Sequence, residues 1–177
     1  MNVETVKASM GIDGKTLAIA AIAVVSVVLL ATGSAGAERT VNSCQEINAT
    51  NAPGDGLVLV GADIVATGDC IEINTSDIVL DGQGNAITGP GSSGIGIEAN
   101  STSAGGGATN VTVKNVKVEG FNKGIQYDGR NGPGAGGEIT NVNSTGNSFG
   151  LFALGGVPVD VTDSELVFNG DGAQAYF

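Results

Sequence analysis

The fold is decided by VKNVKVEGFNKG (residues 113–124) and by two later stretches that align with it without a gap, ITNVNSTGNSFG (139–150) and VTDSELVFNGDG (161–172). Each stretch begins with a β-branched residue, has Asn or Asp in third place and ends in Gly. The stretches begin 26 and 22 residues apart, and periods of roughly 20 to 50 residues are typical of solenoids, propellers and arrays. Each unit holds two short β-type runs and no helical stretch, so the repeat predicts a β-solenoid.

A second set of strand-like runs alternates with the first set, and most of its members open with Gly. They are CIEI (70–73), GIGI (94–97), GIQY (124–127), GLFA (150–153) and GAQAYF (172–177). Apolar and polar residues alternate within both sets, which predicts one face toward a core and one toward solvent. With DIVLDGQGNAITG (77–89) as an irregular early copy of the first set, the sequence predicts an all-β parallel solenoid of about four coils over residues 70–177.

The N-terminal segment has the features of a targeting signal. Lys7 and Lys15 precede an apolar run over residues 17–31, and Ala35-Gly36-Ala37 forms a small-x-small cleavage pattern. We therefore predict a signal peptide, with a helical apolar run, over residues 1–37 and export of the remainder to the cell surface or beyond. The 22 uncharged residues between Lys15 and Glu38 are also long enough to span a bilayer, so a retained membrane anchor through residues 17–31 is the alternative.

Residues 38–69 come before the clear repeats and are predicted to cap the N-terminal end of the solenoid, because an uncapped end would expose the core. Cys44 and Cys70 are the two cysteines of the chain. In an exported protein such a pair is expected to form a disulfide, here between the cap and the first coil.

Composition limits the partners. The chain of 177 residues carries a net charge of −11, so nucleic acid is excluded as a partner. Aromatic residues make up 4% and Gly supplies 30 residues, which favours a core of stacked Val, Ile and Leu. The absence of His removes His-based catalytic triads.

Two polar patterns recur in the coils. The third place of the repeat predicts a structural ladder of stacked Asn and Asp side chains at one corner. N-x-S/T sequons provide candidate N-glycosylation sites. The ladder residues are Asp81, Asn115, Asn141 and Asp163, and the sequon residues are Asn48, Asn74, Asn100, Asn110 and Asn143.

Loops of variable length all fall at one place in the coil, at residues 98–110, 128–138 and 154–158. In repeat proteins such a side is often the binding face. The alternative is that these Gly- and Ser-rich loops are tolerated because they disturb nothing.

Three segments carry a family resemblance: CIEINTSDIVLDGQGNAITG (70–89), NVTVKNVKVEGFNKGIQYDG (110–129) and GEITNVNSTGNSFGLFA (137–153). They resemble the right-handed parallel β-helix repeats of exported archaeal and bacterial surface proteins. That group includes the carbohydrate-binding and sugar-hydrolase domain and the periplasmic copper-binding NosD proteins. The resemblance spans about residues 44–177 and implies a single-stranded, right-handed β-helix. Its members include polysaccharide lyases, glycoside hydrolases and proteins without activity, so fold alone does not decide function.

Catalytic chemistry would have to come from a few charged side chains near the variable loops. The candidates are Lys123, Asp128, Arg130 and Glu138, with Glu98 as a further acid. A lyase would need Ca²⁺ on acidic ligands and a Lys or Arg base, and a glycosidase would need two facing carboxylates. The copper site of the NosD-like members is not expected in this chain, because the chain has no His and its two Met residues precede the apolar run. No cofactor or metal site is predicted, with Ca²⁺ as the open alternative.

We therefore expect an exported, non-catalytic surface module that is structural or binds glycans or other cell-envelope components. One alternative is a β-helix polysaccharide lyase or glycoside hydrolase. Another is a shortened or partner-dependent β-helix whose C-terminal coil associates end to end with a second copy.

Overall fold

The structure, a computed structural model, describes residues 38–100, 108–130, 136–167 and 169–176. The predicted signal segment, residues 1–37, lies outside these ranges. All secondary-structure elements in these ranges are β-strands. The same ranges contain no helix that is long and apolar enough to cross a membrane.

The described residues form seventeen strands. In chain order they are β1 (Arg39–Val41), β2 (Gln45–Ile47), β3 (Leu57–Val60), β4 (Ile64–Val65), β5 (Ile71–Ile73), β6 (Val79–Asp81), β7 (Ala86–Thr88), β8 (Ile95–Asn100), β9 (Val111–Lys114), β10 (Lys117–Glu119), β11 (Lys123–Asp128), β12 (Gly137–Thr140), β13 (Asn143–Thr145), β14 (Phe149–Leu154), β15 (Val159–Thr162), β16 (Glu165–Val167) and β17 (Asp171–Tyr176).

The strands stack into three sheets whose neighbours are all parallel. Sheet A has the order β1-β3-β6-β9-β12-β15, sheet B the order β17-β14-β11-β8-β5-β2, and sheet C the order β16-β13-β10-β7-β4. From β5 onward the chain passes through sheets B, A and C in each turn, completes four turns at β16 and returns to sheet B with β17. The prediction of an all-β parallel solenoid of about four turns is confirmed, and it is consistent with a β-helix repeat protein.

Residues 38–69, predicted as a cap, contribute β1 to β4 to the same three sheets. Strand β1 pairs with β3, β2 with β5, and β4 with β7. The Cys44–Cys70 disulfide is confirmed, and it joins this segment to the start of β5. The segment therefore extends the solenoid by in-register pairing and is covalently fixed to it.

The core consists mainly of stacked rows of aliphatic side chains, with the fully buried rings of Phe121 and Tyr127 among them. In sheet A, Val58, Leu80, Val113 and Ile139 occupy one register row, and each is 0% exposed. Val161, the next member of the row on β15, is 41% exposed. Each side chain of the row is thus covered by its neighbours in the turns before and after it.

The corner between sheets A and C explains the third place of the repeat. Asn115, Asn141 and Asp163 adopt φ values of 53°, 52° and 47°, a left-handed conformation that Asn and Asp tolerate. Asn141 Nδ2 donates to Asn115 Oδ1 at 2.8 Å, and Asn115 Nδ2 donates to Asp81 Oδ1 at 3.1 Å.

Asp81 occupies a different backbone position from the other ladder residues. It is the last residue of β6 and pairs in register with Lys114, one place before Asn115. The corner after β6 spans residues 82–85, two residues longer than the corner at 115–116, and Gln83 there has the left-handed φ of 54°. Asp81 therefore belongs to the second place of the repeat and not to the third, but its carboxylate still reaches Asn115.

Candidate functional site

The outward-facing side chains of sheet B form parallel rows that follow the solenoid axis, and we call this surface the sheet B face. Its three rows are defined by strand register. The first is Ile95, Lys123, Phe149 and Asp171; the second is Glu46, Glu72, Glu98, Gln126, Phe152 and Gln174; the third contains Asn100, Asp128 and Leu154.

Glycine gives the sheet B strands an unusual side-chain pattern. In β14, Gly150 and Leu151 are both buried, so Phe149 and Phe152 on either side of them are both partly exposed. A methyl group on Gly124, which precedes Gly150 in the same row, would lie 2.7 Å from Asn147 Nδ2 and 2.9 Å from the Gly150 carbonyl oxygen. Gly at this position is therefore needed for the close approach of successive turns.

An aromatic and cationic cluster lies on β11 and β14, in the C-terminal half of the sheet B face. The ring centroids of Phe149 and Phe152 are 5.2 Å apart, and Lys123 Nζ lies 4.5 Å from the Phe152 centroid, within cation–π range. Lys123 Nζ donates to Gln126 Oε1 at 2.6 Å, and Gln126 Nε2 donates to Glu98 Oε1 at 2.6 Å. These bonds hold an ammonium, an amide and a carboxylate in line beside two aromatic rings.

Three carboxylates continue the second row toward the N-terminal end of the solenoid. Asn74 Nδ2 donates at 3.0 Å to both Glu46 Oε1 and Glu72 Oε1. Burial and the nearby carboxylates, Glu72 first among them, raise the pKa of Glu98. Hydrogen bonds from Asn74 and Asn48 lower the pKa of the fully exposed Glu46. The row is therefore an anionic stripe that is cross-linked by amides.

Asp128 and Arg130 form a bidentate ion pair at the loop edge of the same face. Arg130 Nε lies 3.0 Å from Asp128 Oδ1, and Nη2 lies 2.5 Å from Oδ2. The hydrogen bonds from Arg130 lower the pKa of Asp128, which is 2% exposed, and the pairing raises the pKa of Arg130. Arg130 is thus a poor proton acceptor, and the catalytic base that a lyase requires would have to be another group.

Glu138 lies apart from the other catalytic candidates. It is on β12 in sheet A, whereas Lys123 and Asp128 are on β11 in sheet B and Arg130 follows β11. Glu138 pairs in register with Asp160 of β15, and both line a surface cavity of about 440 Å³. The structure therefore brings together Lys123, Asp128, Arg130 and Glu98 on one side, and Glu138 with Asp160 on another.

The five sequon asparagines all donate side-chain hydrogen bonds to carboxylates. Asn48 and Asn74 bond to Glu46, Asn100 to Glu72, Asn110 to Asp77, and Asn143 to Glu165, at distances from 2.9 to 3.5 Å. An N-linked glycan replaces one of the two hydrogens on Nδ2, so a glycan on Asn74, whose Nδ2 donates to both Glu46 and Glu72, would remove one of these two bonds.

Two groups of residues were missed by sequence reasoning. Strict alternation along a strand places residues three apart on opposite faces, so Phe149 and Phe152 were not expected to meet. The second group is a buried ladder at the turn from sheet C to sheet B. There Asn147 Oδ1 accepts from Phe121 N and Asn169 Oδ1 accepts from Asn147 N, both at 2.9 Å. The aligned repeats do carry this signal, because Phe121, Asn147 and Asn169 share their ninth place.

Across the ranges that the structure describes, no group of three or more His, Cys, Asp or Glu side chains is arranged to hold a metal ion. The disulfide fits an extracellular protein. Compared with protein-family models, with curated proteins and with solved structures, the chain matches none of them.

Proposed function

We propose that the protein is an exported, non-catalytic β-solenoid module of the cell surface that binds glycans through the sheet B face. The observation that carries the proposal is the outward pair Phe149 and Phe152 beside Lys123 and Gln126. Sugar rings present C–H faces that pack on aromatic rings, and their hydroxyl groups bond to charged groups such as the partly exposed Lys123, which the buried Gln126 holds in place.

The position of the variable loops supports this choice of face. Strands β8, β11 and β14 of sheet B each lead into one of the three loops, and sheet A begins after each loop. The residues from which the loops depart, Asn100, Asp128 and Leu154, share the last row of the sheet B face, so variation in loop length arises beside that face without altering the stacked core.

The proposed location rests on the N-terminal sequence and on the disulfide. Residues 1–37 carry the charge, apolar run and small-residue pattern of an export signal. A Cys44–Cys70 disulfide persists in an oxidising compartment. A right-handed β-helix related to exported surface proteins accounts for both features, with cell-envelope glycans as partners.

The proposal is tested by retention of the purified protein on immobilised polysaccharides, with release of new sugar ends measured in parallel. We expect retention without turnover, and loss of retention for Phe152→Ala. The control is Val65→Ala, which removes an outward apolar side chain, 80% exposed, from sheet C. Equal retention of both variants, or failure of the protein to bind any polysaccharide, would contradict the proposal.

A second candidate function is glycoside hydrolysis on the outer surface of sheet A. Glu138 and Asp160 lie side by side on adjacent parallel strands, at a strand spacing of about 4.8 Å. Retaining glycosidases use two carboxyl groups roughly 5 to 5.5 Å apart. Release of reducing ends that stops in both Glu138→Gln and Asp160→Asn would establish this activity, and an unchanged rate in either variant would exclude it.

Self-association through the last turn is a separate proposal about partners. Val161 faces the core in register with the fully buried Ile139, yet it is 41% exposed. A second copy packed end to end would cover it. Light scattering should then report a dimer that Val161→Lys converts to a monomer, and a wild-type mass equal to one chain would exclude the association.

A further inference from the structure

The carboxylates and the aromatic pair of the sheet B face lie on one continuous line. Glu46, Glu72 and Glu98 are in register with one another, and the same row continues through Gln126 to Phe152. Successive members are separated by the strand spacing of about 4.8 Å. A polymer that packs on Phe152 and follows the solenoid axis would therefore pass over all three glutamates.

None of these three glutamates forms an ion pair with a Lys or Arg among the residues that the structure describes. The ion pairs of that part of the chain join Lys114 to Asp81, Lys117 to Glu119, and Arg130 to Asp128. The glutamates instead accept hydrogen bonds from neutral amides, those of Asn48, Asn74, Asn100 and Gln126. Among the described residues these carboxylates therefore have amide donors and no Lys or Arg at ion-pair distance; the nearest cations of the same face are Lys123, which reaches Glu98 through Gln126, and Arg130, whose pKa Glu98 helps to raise.

The hydrogen bonds also leave one side of each carboxylate available. Within the described ranges, every hydrogen bond to these three side chains reaches the Oε1 atom, and none reaches Oε2. Glu46 is exposed, and Glu72 and Glu98 are partly exposed. A charged donor from solvent can thus reach the row without displacing the asparagines.

The charge of this row selects among glycans. A uronic-acid or sulfated polymer would bring anions against Glu46, Glu72 and Glu98 and would be repelled. A sugar ammonium group would form charge-assisted hydrogen bonds with the same carboxylates. Burial, and after it the nearby carboxylates Glu72, Asp128 and Asp69, raise the pKa of Glu98, so a cationic donor beside it would relieve an unfavourable charge.

We infer that the ligand of the sheet B face is a glycan with free amino groups, a cationic hexosamine polymer, whose sugar rings pack on Phe149 and Phe152 while its ammonium groups pair with the glutamate row. The inference rests on the proposed function, because it assigns the class of ligand to the same face.

The test compares three soluble probes by isothermal titration with the full chain: a glucosamine hexamer, an N-acetylglucosamine hexamer and a galacturonic acid hexamer. At about pH 6 glutamate is ordinarily ionised and the sugar amines carry charge. We expect the glucosamine hexamer to bind about tenfold more tightly than the acetylated one, since each exposed ion pair is individually weak. The galacturonic acid hexamer should bind least, and the preference should shrink in high salt.

Two double variants test whether the preference for the glucosamine hexamer arises from the glutamate row. Glu46→Gln combined with Glu72→Gln keeps the size of both side chains and should reduce the preference for the glucosamine hexamer, with Glu98 as the remaining carboxylate of the row. The matched control, Asp163→Asn combined with Glu165→Gln, removes the same charge from the corner and strand of sheet C, and it should keep the wild-type preference.

The outcomes separate this inference from the function on which it rests. Tighter or equal binding of the acetylated or the acidic hexamer, with loss of binding in Phe152→Ala, would overturn the inference and leave a glycan-binding face. Failure of all three probes and of the polysaccharide panel would overturn both. A glucosamine preference that is undiminished in the Glu46→Gln, Glu72→Gln double variant would also overturn the inference, because the charge selection would then arise elsewhere.

Discussion

Replacement of Asn147 by Leu should destabilise the solenoid strongly, because its side chain completes the hydrogen bonds of a buried turn. Asn147 is 4% exposed. Its Oδ1 accepts from Phe121 N at 2.9 Å, and its Nδ2 donates to Val118 O at 3.1 Å and to Ser144 Oγ at 2.9 Å. Leu has a similar volume but leaves the two backbone groups without partners. Each unsatisfied buried group costs about 1 to 3 kcal/mol, so we expect a loss of about 2 to 6 kcal/mol.

Urea unfolding followed by far-UV circular dichroism provides the measurement, since the chain contains no Trp to report by fluorescence. Asn141→Gly is the matched control at the exposed corner. It removes the hydrogen bond to Asn115, and Gly takes the φ of 52° without strain, so the cost should stay below about 1 kcal/mol. A loss below about 1 kcal/mol for Asn147→Leu would refute the reasoning that the buried amide holds this turn.

Three further predictions concern the disulfide, the glycine row and pH. Replacing Cys44 and Cys70 by Ser opens a loop with a sequence separation of 26 and should lower the free energy of unfolding by about 3 kcal/mol in the same urea experiment. An unchanged midpoint would show that strand pairing alone fixes the segment. Gly124→Ala forces a methyl group against Asn147 and Gly150 and should cost about 1 to 3 kcal/mol by calorimetry, so a melting temperature within error of wild type would contradict the close approach. The pKa of Glu98 is higher in the folded protein than in the unfolded chain, so ionisation of Glu98 lowers the free energy of unfolding at pH values above the folded pKa. This destabilisation disappears once the pH falls below the pKa of an unfolded Glu, about 4. Glu98→Gln should therefore raise the melting temperature at pH 7 but not at about pH 4, and an equal effect at both pH values would exclude an electrostatic cause.

The fold was predictable because its signals repeat. The aligned stretches that begin with residues 113–124 predicted the strands of sheets A and C, and the Gly-led runs predicted the strands of sheet B. Each turn stacks on the one before it, so equivalent positions of successive turns need the same kind of side chain. The corner at Asn115 and Asn141 was predictable for the same reason, because Asn recurs at the third position of the repeat and tolerates the left-handed conformation found there. The place of Asp81, one residue before the third place, was not predictable in the same way, because the corner that follows it is two residues longer and breaks the spacing of the aligned repeats.

The site was less predictable because it depends on departures from alternation. Two successive buried residues, Gly150 and Leu151, turn Phe149 and Phe152 to the same side. Periodicity alone cannot show that pair. Glu138 was grouped with Asp128 by its nearness to the same loop, but the loop leads from sheet B to sheet A and separates them. Distance along the sequence therefore says little about which faces two residues occupy in a solenoid.

The most direct test of the central claim is to map where a bound oligosaccharide changes the backbone amide chemical shifts of the isotopically labelled protein. The account predicts that the changes cluster on the sheet B face, at Glu98, along β11 from Lys123 to Asp128, and along β14 from Phe149 to Leu154. Changes confined to sheet A around Glu138 and Asp160, or no changes with any oligosaccharide that the panel contains, would contradict it.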